Sequence, residues 1–292
     1  MKILKTFISV FCFILLTISI IFLSFSYNIS NFAKKDNMKD YIKKIDLVKE
    51  IKKVKNSGST NKQSKVTNMI NDLYEMAEEF QFNEQAMDEI INSNVMKELL
   101  GSSAGSFSDY IINKNEAPQL TESNVYNLVD KNADKIFSVI NVELSDSQRE
   151  KFLNVIKLEI PDLVNTVSDA SSFIDNKNSK EIELFREIFS KKTRVIVLIS
   201  AVVCFVILVI LNRKKSLLYL IASFFISGIL IILSSFGITN IIIRIIKEAE
   251  LSLFATPLAN IFAQNIFITG SVMLLITTIL YLIYKISCRK KS

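Results

Sequence analysis

The 292-residue chain is half apolar and carries a net charge of +6, a balance that also occurs in nucleic-acid-binding proteins. The charge is unevenly placed: residues 28–192 hold 23 Lys and Arg against 27 Asp and Glu, and the rest of the chain holds 12 against 2. Basic residues concentrated beside apolar segments are typical of membrane orientation. The chain has no His, so it lacks the usual zinc ligand and the commonest general base. We therefore expect no nucleic-acid partner, no metal, no cofactor and no enzymatic activity.

The N-terminal segment, residues 1–27, predicts a first transmembrane helix. Its apolar part, Phe7–Phe25, is longer than the ~7–15 apolar residues of a secretory signal peptide. Ser24 and Ser26 are nevertheless small residues at the positions that signal peptidase requires for cleavage before Tyr27. Two alternatives remain, an uncleaved signal anchor and a cleaved signal peptide, and the apolar length favours the anchor.

Residues 28–192 predict a helical extracytoplasmic domain that contains no cysteine and therefore no disulfide. The first helix of this domain is predicted within Lys34–Lys65, a segment with 11 lysines. Apolar residues recur there at the three- to four-residue spacing of an amphipathic helix, at Ile42, Ile45, Val48 and Ile51 or Val54. We expect the lysine face of this helix to be solvated; the alternative is contact with anionic lipid or wall polymer.

Further along this domain, turn-forming residues predict the ends of helices. Breaks are expected at Ser57–Asn61, Gly101–Ser106, Asn115–Leu120 and Asn176–Ser179. The helices between them have apolar stripes, one over residues 66–80, one over residues 84–99 behind an Asn83 cap, and one from Thr121 to Ile140. Gly101–Ser106 lacks the GK[ST] ending of a phosphate-binding loop, so no nucleotide site is expected there.

Two signals in the last third of the domain are local. Ser145 and Gln148 have the spacing of a capping box, which predicts the start of a helix that Pro161 later interrupts. From Lys180 the pattern predicts one helix that runs without a stop to Arg213, so the domain would continue directly into the second span.

Residues 193–292 predict three more transmembrane helices, over Val195–Leu211, within Ser216–Ile238, and from Phe262 to Tyr284. The short turn Arg213–Lys215 joins the first two of these. Nine basic residues and no acidic residue lie on the side of this turn and of the two termini: Lys2, Lys5, Arg213, Lys214, Lys215, Lys285, Arg289, Lys290 and Lys291. Since basic residues favour the cytoplasmic side, both termini are predicted to be cytoplasmic.

Between the third and fourth spans, residues 241–254 predict an amphipathic helix on the outer membrane surface, which ends at Ala255–Pro257. Its apolar side chains cover an arc of about 140° at 100° per residue. The residues expected at the membrane interface are Ile241, Ile242, Arg244, Ile245, Ile246, Lys247 and Leu253. The alternative is that this arc covers the outer domain or the ends of the spans.

The predicted fold is therefore all-α: a multi-pass membrane protein with four transmembrane helices and a helical extracytoplasmic domain between the first and second. The spans contain no Asp, Glu, Lys or Arg residue, and their Ser, Thr and Gly residues favour helix packing over chemistry. We predict a non-enzymatic protein of the cell envelope whose outer domain binds a protein partner or senses a surface condition. The abundance of Lys, Asn, Ile and Phe is typical of AT-rich bacterial genomes.

The order of these elements also suggests a second hypothesis. A span, an outer domain, two spans, a short outer amphipathic helix and a last span resemble the topology of FtsX-type permease-like proteins. The resemblance is one of topology and is not accompanied by a family sequence motif. It implies a subunit of a transporter or permease complex that works with a separate cytoplasmic ATPase. A transporter formed by this chain alone would need polar residues lining its spans.

Overall fold

The structure is a computed structural model that describes residues 2–56, 74–75, 84–113, 122–140, 145–151, 153–154, 179–248 and 252–289. These residues form α-helices joined by short turns, and no β-strand occurs among them, so the helical fold class is confirmed for this part of the chain. The helices are α1 (Lys2–Phe32), α2 (Lys35–Lys43), α3 (Leu47–Asn56), α4 (Glu84–Ile91), α5 (Asn94–Asn113), α6 (Glu122–Ile140), α7 (Ser179–Ile188), α8 (Lys191–Asn212), α9 (Ser216–Glu248) and α10 (Ser252–Arg289).

The helices belong to two compact units. The first unit comprises Met1–Asn31, Glu187–Ile241 and Asn260–Ser292, and the second comprises Phe32–Arg186 and Ile242–Ala259. The second unit thus includes a short segment that follows the third predicted span. The predicted domain limits, 1–27, 28–192 and 193–292, concern the sides of a membrane and stay a prediction.

Among the described residues, three helical stretches are long and apolar enough to cross a membrane, Ile3–Phe32, Lys191–Ile241 and Phe254–Ile286. They are compatible with an integral membrane protein. The second stretch includes α8 and α9 as far as Ile241, and a 3₁₀ turn at Arg213–Lys215 separates the two helices. Arg213 adopts a positive φ of 48°, so the chain reverses at the predicted turn.

Helix α1 lies against the other helices of this unit. Its buried residues Cys12, Leu16 and Ile20 form a core with residues of α8. Phe22 stacks on Phe189 before the start of α8, and Ser9 accepts a hydrogen bond from Asn212 at its end (2.9 Å), so α1 and α8 are antiparallel. By the same reasoning α1 and α9 are parallel, because Phe13 contacts Tyr219 and Thr17 contacts Ser223.

Helices α9 and α10 approach each other closely at two glycines. A Cβ atom added at Gly270 would lie 2.8 Å from the carbonyl oxygen of Gly228, and one added at Gly228 would lie 3.1 Å from the carbonyl oxygen of Gly270. Only glycine permits backbones to come this close, which is the usual role of small residues between membrane helices.

The prediction of one unbroken helix from Lys180 to Arg213 is wrong. Helix α7 ends at Ile188 and α8 begins at Lys191. Ser190 caps α8, because its Oγ accepts a hydrogen bond from the backbone N–H of Thr193 (3.1 Å). Serine is a preferred N-cap residue, but the apolar periodicity of the segment concealed this start.

The predicted amphipathic helix 241–254 is not a separate helix, and the fourth predicted span, Phe262–Tyr284, lies inside the longer helix α10. Ile241–Glu248 continues α9, whereas Leu253 and Phe254 belong to α10, which passes through Pro257. Proline removes one backbone hydrogen bond near the start of α10. Phe254, Ala255, Leu258 and Ala259 are all at most 3 % exposed, so their burial stabilises this turn in spite of the proline.

In the second unit, the basic segment after α1 forms two helices instead of the single helix predicted. Helix α2 ends at Lys43, and α3 starts at Leu47. The predicted apolar stripe is confirmed, because Ile42, Ile45, Val48 and Ile51 are buried. Asp46 accepts the backbone N–H of Lys49 (3.1 Å) and so initiates α3 as its N-cap.

The predicted loop at Gly101–Ser106 is wrong, since these residues lie inside α5. Here the two glycines face the backbone of α2: a Cβ at Gly101 would lie 3.0 Å from Lys39 Cα, and one at Gly105 would lie 2.6 Å from the Lys35 carbonyl oxygen. The glycines therefore permit close helix packing, which outweighs their low helix propensity.

The single helix predicted over residues 84–99 is interrupted. Helix α4 ends at Ile91, and α5 begins at Asn94 after a turn in which Ser93 Oγ accepts the N–H of Met96 (3.2 Å). The prediction of buried apolar residues in this region is confirmed for Met87, Ile90 and Ile91.

Two further predictions are confirmed. Helix α6 covers Glu122–Ile140. The capping box is also present: Gln148 Oε1 accepts the backbone N–H of Ser145 (3.0 Å), and Ser145 Oγ accepts the backbone N–H of Gln148 (3.4 Å). Several predictions concern positions outside the described residues, namely Ser57–Asn61, Asn83, Asn115–Leu120, Thr121 and Pro161. The predicted stripe over residues 66–80 also lies outside them, except for residues 74–75.

Candidate functional site

A charged groove of about 590 Å³ lies between α3 and α4 in the second unit. We call it the α3–α4 groove. Its lining contains both acidic and basic side chains and one apolar residue: Asp46, Val48, Lys49, Lys52, Lys53, Gln85, Asp88, Glu89 and Asn92. None of these residues was among the predicted site residues.

Asn92 holds one end of the groove in place. Its side-chain oxygen accepts the backbone N–H of Leu47 (2.8 Å), and its Nδ2 donates to the carboxylate of Asp46 (2.9 Å). The turn after α4 is thereby bonded to the start of α3. The hydrogen bond from Asn92, together with that from the Lys49 N–H, lowers the pKa of Asp46 because both favour the charged carboxylate.

The wall of the groove contains a second polar cluster. Lys52 Nζ pairs with Asp88 (2.8 Å) and Glu84 (3.2 Å), and the hydrogen bonds to these two carboxylates raise the pKa of Lys52. The Tyr74 hydroxyl donates a hydrogen bond to Asp88. The pKa of Tyr74 is raised, mainly because the hydroxyl is partly buried and also because of this hydrogen bond. The hydrogen bonds of Asp88 therefore join α3, α4 and Tyr74.

These contacts indicate what the groove can do chemically. Asp88 and Lys52 are paired with each other, whereas Lys49, Gln85 and Glu89 have side chains exposed to solvent. Among the described residues, no group of three or more Cys, Asp or Glu side chains is placed to hold a metal ion. A surface with exposed charges of both signs suits the docking of a polypeptide with complementary charges.

A separate set of polar contacts lies within the first unit. Thr17 Oγ1 donates to Ser223 Oγ (3.2 Å), and Ser227 Oγ donates to the Thr17 carbonyl oxygen (3.3 Å). Asn28 Nδ2 donates to Thr269 Oγ1 (3.0 Å). These hydroxyl and amide groups join α1 to α9 and α10, as polar residues do between membrane helices.

The predicted membrane-interface residues are divided between two helices. Ile241 is an exposed residue of α9, and Ile242, Arg244, Ile245, Ile246 and Lys247 follow it on the same helix, whereas Leu253 is on α10. Only the side chains of Ile241 and of residue 243 are described between residues 241 and 253. Their role at a membrane surface stays a prediction.

The predicted topology-setting residues are partly brought together. Arg213, Lys214 and Lys215 are exposed in one turn, and Lys5 and Lys285 are exposed on α1 and α10. Lys2 and Arg289 are the end residues of those helices, and Lys290 and Lys291 lie outside the described residues. The side of the membrane on which they lie stays a prediction.

Two of the missed features had sequence signals. Asp46 directly before the apolar pair Leu47–Val48 is typical of an N-cap, and Gly101 with Gly105 has the spacing of close helix contacts. The groove itself had none, because its two walls are about forty residues apart in sequence. Comparison of the chain with protein-family models, curated proteins and solved structures found no match.

Proposed function

We propose that the protein is a four-span, non-enzymatic membrane protein of the cell envelope whose extracytoplasmic helical domain binds a protein partner. In this proposal both termini and the Arg213–Lys215 turn are cytoplasmic, and residues 28–192 lie outside. The domain would report the bound state of its partner, or a surface condition that alters it, to the membrane helices.

Helix length supports four spans. Lys191–Ile241 contains 51 residues, which would extend about 75 Å as a single straight helix at 1.5 Å per residue, whereas the hydrocarbon core of a bilayer is about 30 Å thick. Helix α8 alone, with 22 residues, has the length of one crossing, about 33 Å. The turn at Arg213–Lys215 allows α9 to return as a separate span.

The contacts of α1 support an uncleaved signal anchor. Cys12, Leu16 and Ile20 are buried against the other helices, and Ser9 and Thr17, which also precede the possible cleavage site, each take part in an interhelical hydrogen bond. Removal of α1 would expose this core and leave its polar partners unpaired. The proposal therefore includes α1 in the mature protein.

The α3–α4 groove is the single observation that carries the binding proposal. It lies in the predicted outer domain, is about 590 Å³ in volume and presents exposed charge of both signs, at Lys49 and Glu89. Charges of both signs fit a polypeptide surface better than a uniformly charged polymer.

Photocrosslinking in intact cells tests this proposal. A photoreactive residue at Gln85 in the groove is expected to give a discrete crosslinked product, and reversal of charge at Lys49 and Glu89 should weaken it. The control is the same photoreactive residue at Lys131, an exposed position on α6 outside the groove. Equal products from positions 85 and 131, or none from position 85, would contradict the proposal.

The alternative, a transporter subunit or FtsX-like permease partner of an ATPase, is less well supported. Thr17, Ser223, Asn28 and Thr269 are polar residues of the proposed spans, and each of them bonds to a neighbouring helix. These contacts suit packing better than a polar pathway. Copurification of the full-length protein with an ATPase would favour the alternative.

A further inference from the structure

Two cysteine thiols lie next to each other between α1 and α8. Cys12 and Cys204 are 3 % and 5 % exposed and belong to one apolar core of the first unit. Their side chains are in hydrogen-bonding contact with each other, and neither forms a disulfide. Because the two residues are far apart in sequence, only the packing of α1 on α8 brings the thiols together.

The thiol pair lies inside an interface that other contacts also define. Phe22 stacks on Phe189 on one side of the pair, and Asn212 donates a hydrogen bond to Ser9 (2.9 Å) on the other side. Each cysteine lies between the two contact positions of its own segment, so the pair fits the antiparallel register of α1 and α8. The sulfur atoms therefore need only move from contact to the about 2.0 Å of an S–S bond.

The surroundings of the pair favour a neutral product. Leu16 and Ile20 of α1, with Ala201 and Leu208 of α8, are buried in the same core as the thiols. A charged thiolate costs free energy in such apolar surroundings, and a metal would require thiolate ligands. Within the described residues, moreover, no group of three metal-binding side chains exists that would include the pair. A disulfide carries no charge, so it suits this core better than a metal–thiolate site does.

We propose that Cys12 and Cys204 form a disulfide that joins α1 covalently to α8. In this reaction two S–H bonds break, one S–S bond forms, and two protons and two electrons pass to an oxidant. The thiols are buried in helices that are proposed to cross the membrane, so the oxidant must be soluble in lipid. A quinone of the bilayer accepts both electrons and both protons and becomes a quinol, which balances the reaction.

Oxidation would change how α1 is held. In the reduced protein α1 contacts α8 through packing and hydrogen bonds, whereas the disulfide prevents the two helices from separating. The redox state of the bilayer would therefore set how far α1 can move. The inference rests on the proposed function in that α1 stays in the mature protein and crosses the membrane with α8, but it requires neither a protein partner nor a particular orientation.

Cleavage of the full-length chain between the two cysteines tests the proposal. A protease site inserted at Asn115–Leu120, between α5 and α6, gives two fragments that stay joined under denaturing conditions only through a disulfide. Membranes that contain the protein are treated with a lipid-soluble quinone, and N-ethylmaleimide then blocks the remaining thiols before solubilisation and cleavage. We expect the two fragments to migrate together in denaturing electrophoresis and to separate after reduction with dithiothreitol.

Serine variants identify the sulfur atoms that are joined. Cys12→Ser and Cys204→Ser should each abolish the linkage, whereas Cys288→Ser, the matched change at the third cysteine of the chain, should preserve it. Separate fragments from the quinone-treated unmodified protein, or a linkage that persists in Cys12→Ser or Cys204→Ser, would overturn the proposal.

The masses of the fragments distinguish failure of this inference from failure of the proposed function. Unlinked fragments that include α1 would refute the disulfide alone. An N-terminal fragment without α1 would refute both the disulfide and the uncleaved anchor, because Cys12 would then be missing from the mature protein.

Discussion

The close contact of α9 and α10 predicts that Gly270→Ala destabilises the protein. The added Cβ would lie 2.8 Å from the Gly228 carbonyl oxygen, 0.6 Å less than the 3.4 Å of ordinary van der Waals contact, and 3.1 Å from the Ile232 backbone nitrogen. Because these atoms belong to the backbone of α9, the helices must separate. Overpacking of this kind costs about 1–3 kcal/mol. Alanine also gains about 0.5–1 kcal/mol in helix propensity, which offsets part of this cost.

Gly237→Ala is the matched control, because Gly237 also lies within a helix of this bundle and has no atom within 4 Å of an added Cβ. The gain in helix propensity is common to both variants, so their difference isolates the contact. We expect the free energy of unfolding of Gly270→Ala to be about 1–3 kcal/mol below that of Gly237→Ala. Reversible unfolding of the full-length protein in mixed micelles, followed by circular dichroism, measures this difference. Equal stabilities of the two variants would refute the proposed packing of α9 on α10.

Three further predictions concern the second unit and the orientation. Gly105→Ala places a Cβ 2.6 Å from the Lys35 carbonyl oxygen and should lower the free energy of unfolding by about 1–3 kcal/mol; an unchanged thermal midpoint would contradict the α2–α5 contact. The pKa of Asp46 is lowered on folding, so its contribution is present above its unfolded pKa and is lost as pH falls through its folded pKa. Asp46→Asn should therefore be less stable than the unmodified protein near pH 6, and the gap should close towards pH 3 in acid-unfolding curves; a constant gap would contradict this reasoning. A cysteine at position 214 should resist a membrane-impermeant maleimide in intact cells, and its labelling would reverse the proposed orientation.

Patterns that depend on neighbouring residues could be read from the sequence. The apolar stripe of Ile42, Ile45, Val48 and Ile51 is buried as predicted, although a turn divides it. The capping box at Ser145 and Gln148 and the turn at Arg213–Lys215 are also present. Each signal is contained within about ten residues, so long-range contacts do not alter it.

The candidate site could not be predicted in the same way. Asp46 and Asn92 form one hydrogen-bonded end of the α3–α4 groove across 46 positions of sequence. Each residue by itself is typical of a helix end, and only the packing of α3 on α4 brings the two together. The charged surface that we propose as a binding site therefore arises from tertiary structure.

The amino-acid sequence by itself determined the helical class, the apolar segments and the basic turn, because hydrophobic periodicity and local capping are encoded in short stretches. Only the tertiary structure decided where several helices begin and end. Gly101 and Gly105 have low helix propensity but lie in α5, because glycine alone allows the backbone of α2 to approach so closely. Pro257 lies within α10 for a related reason: the burial of its neighbours compensates for the backbone hydrogen bond that it cannot form.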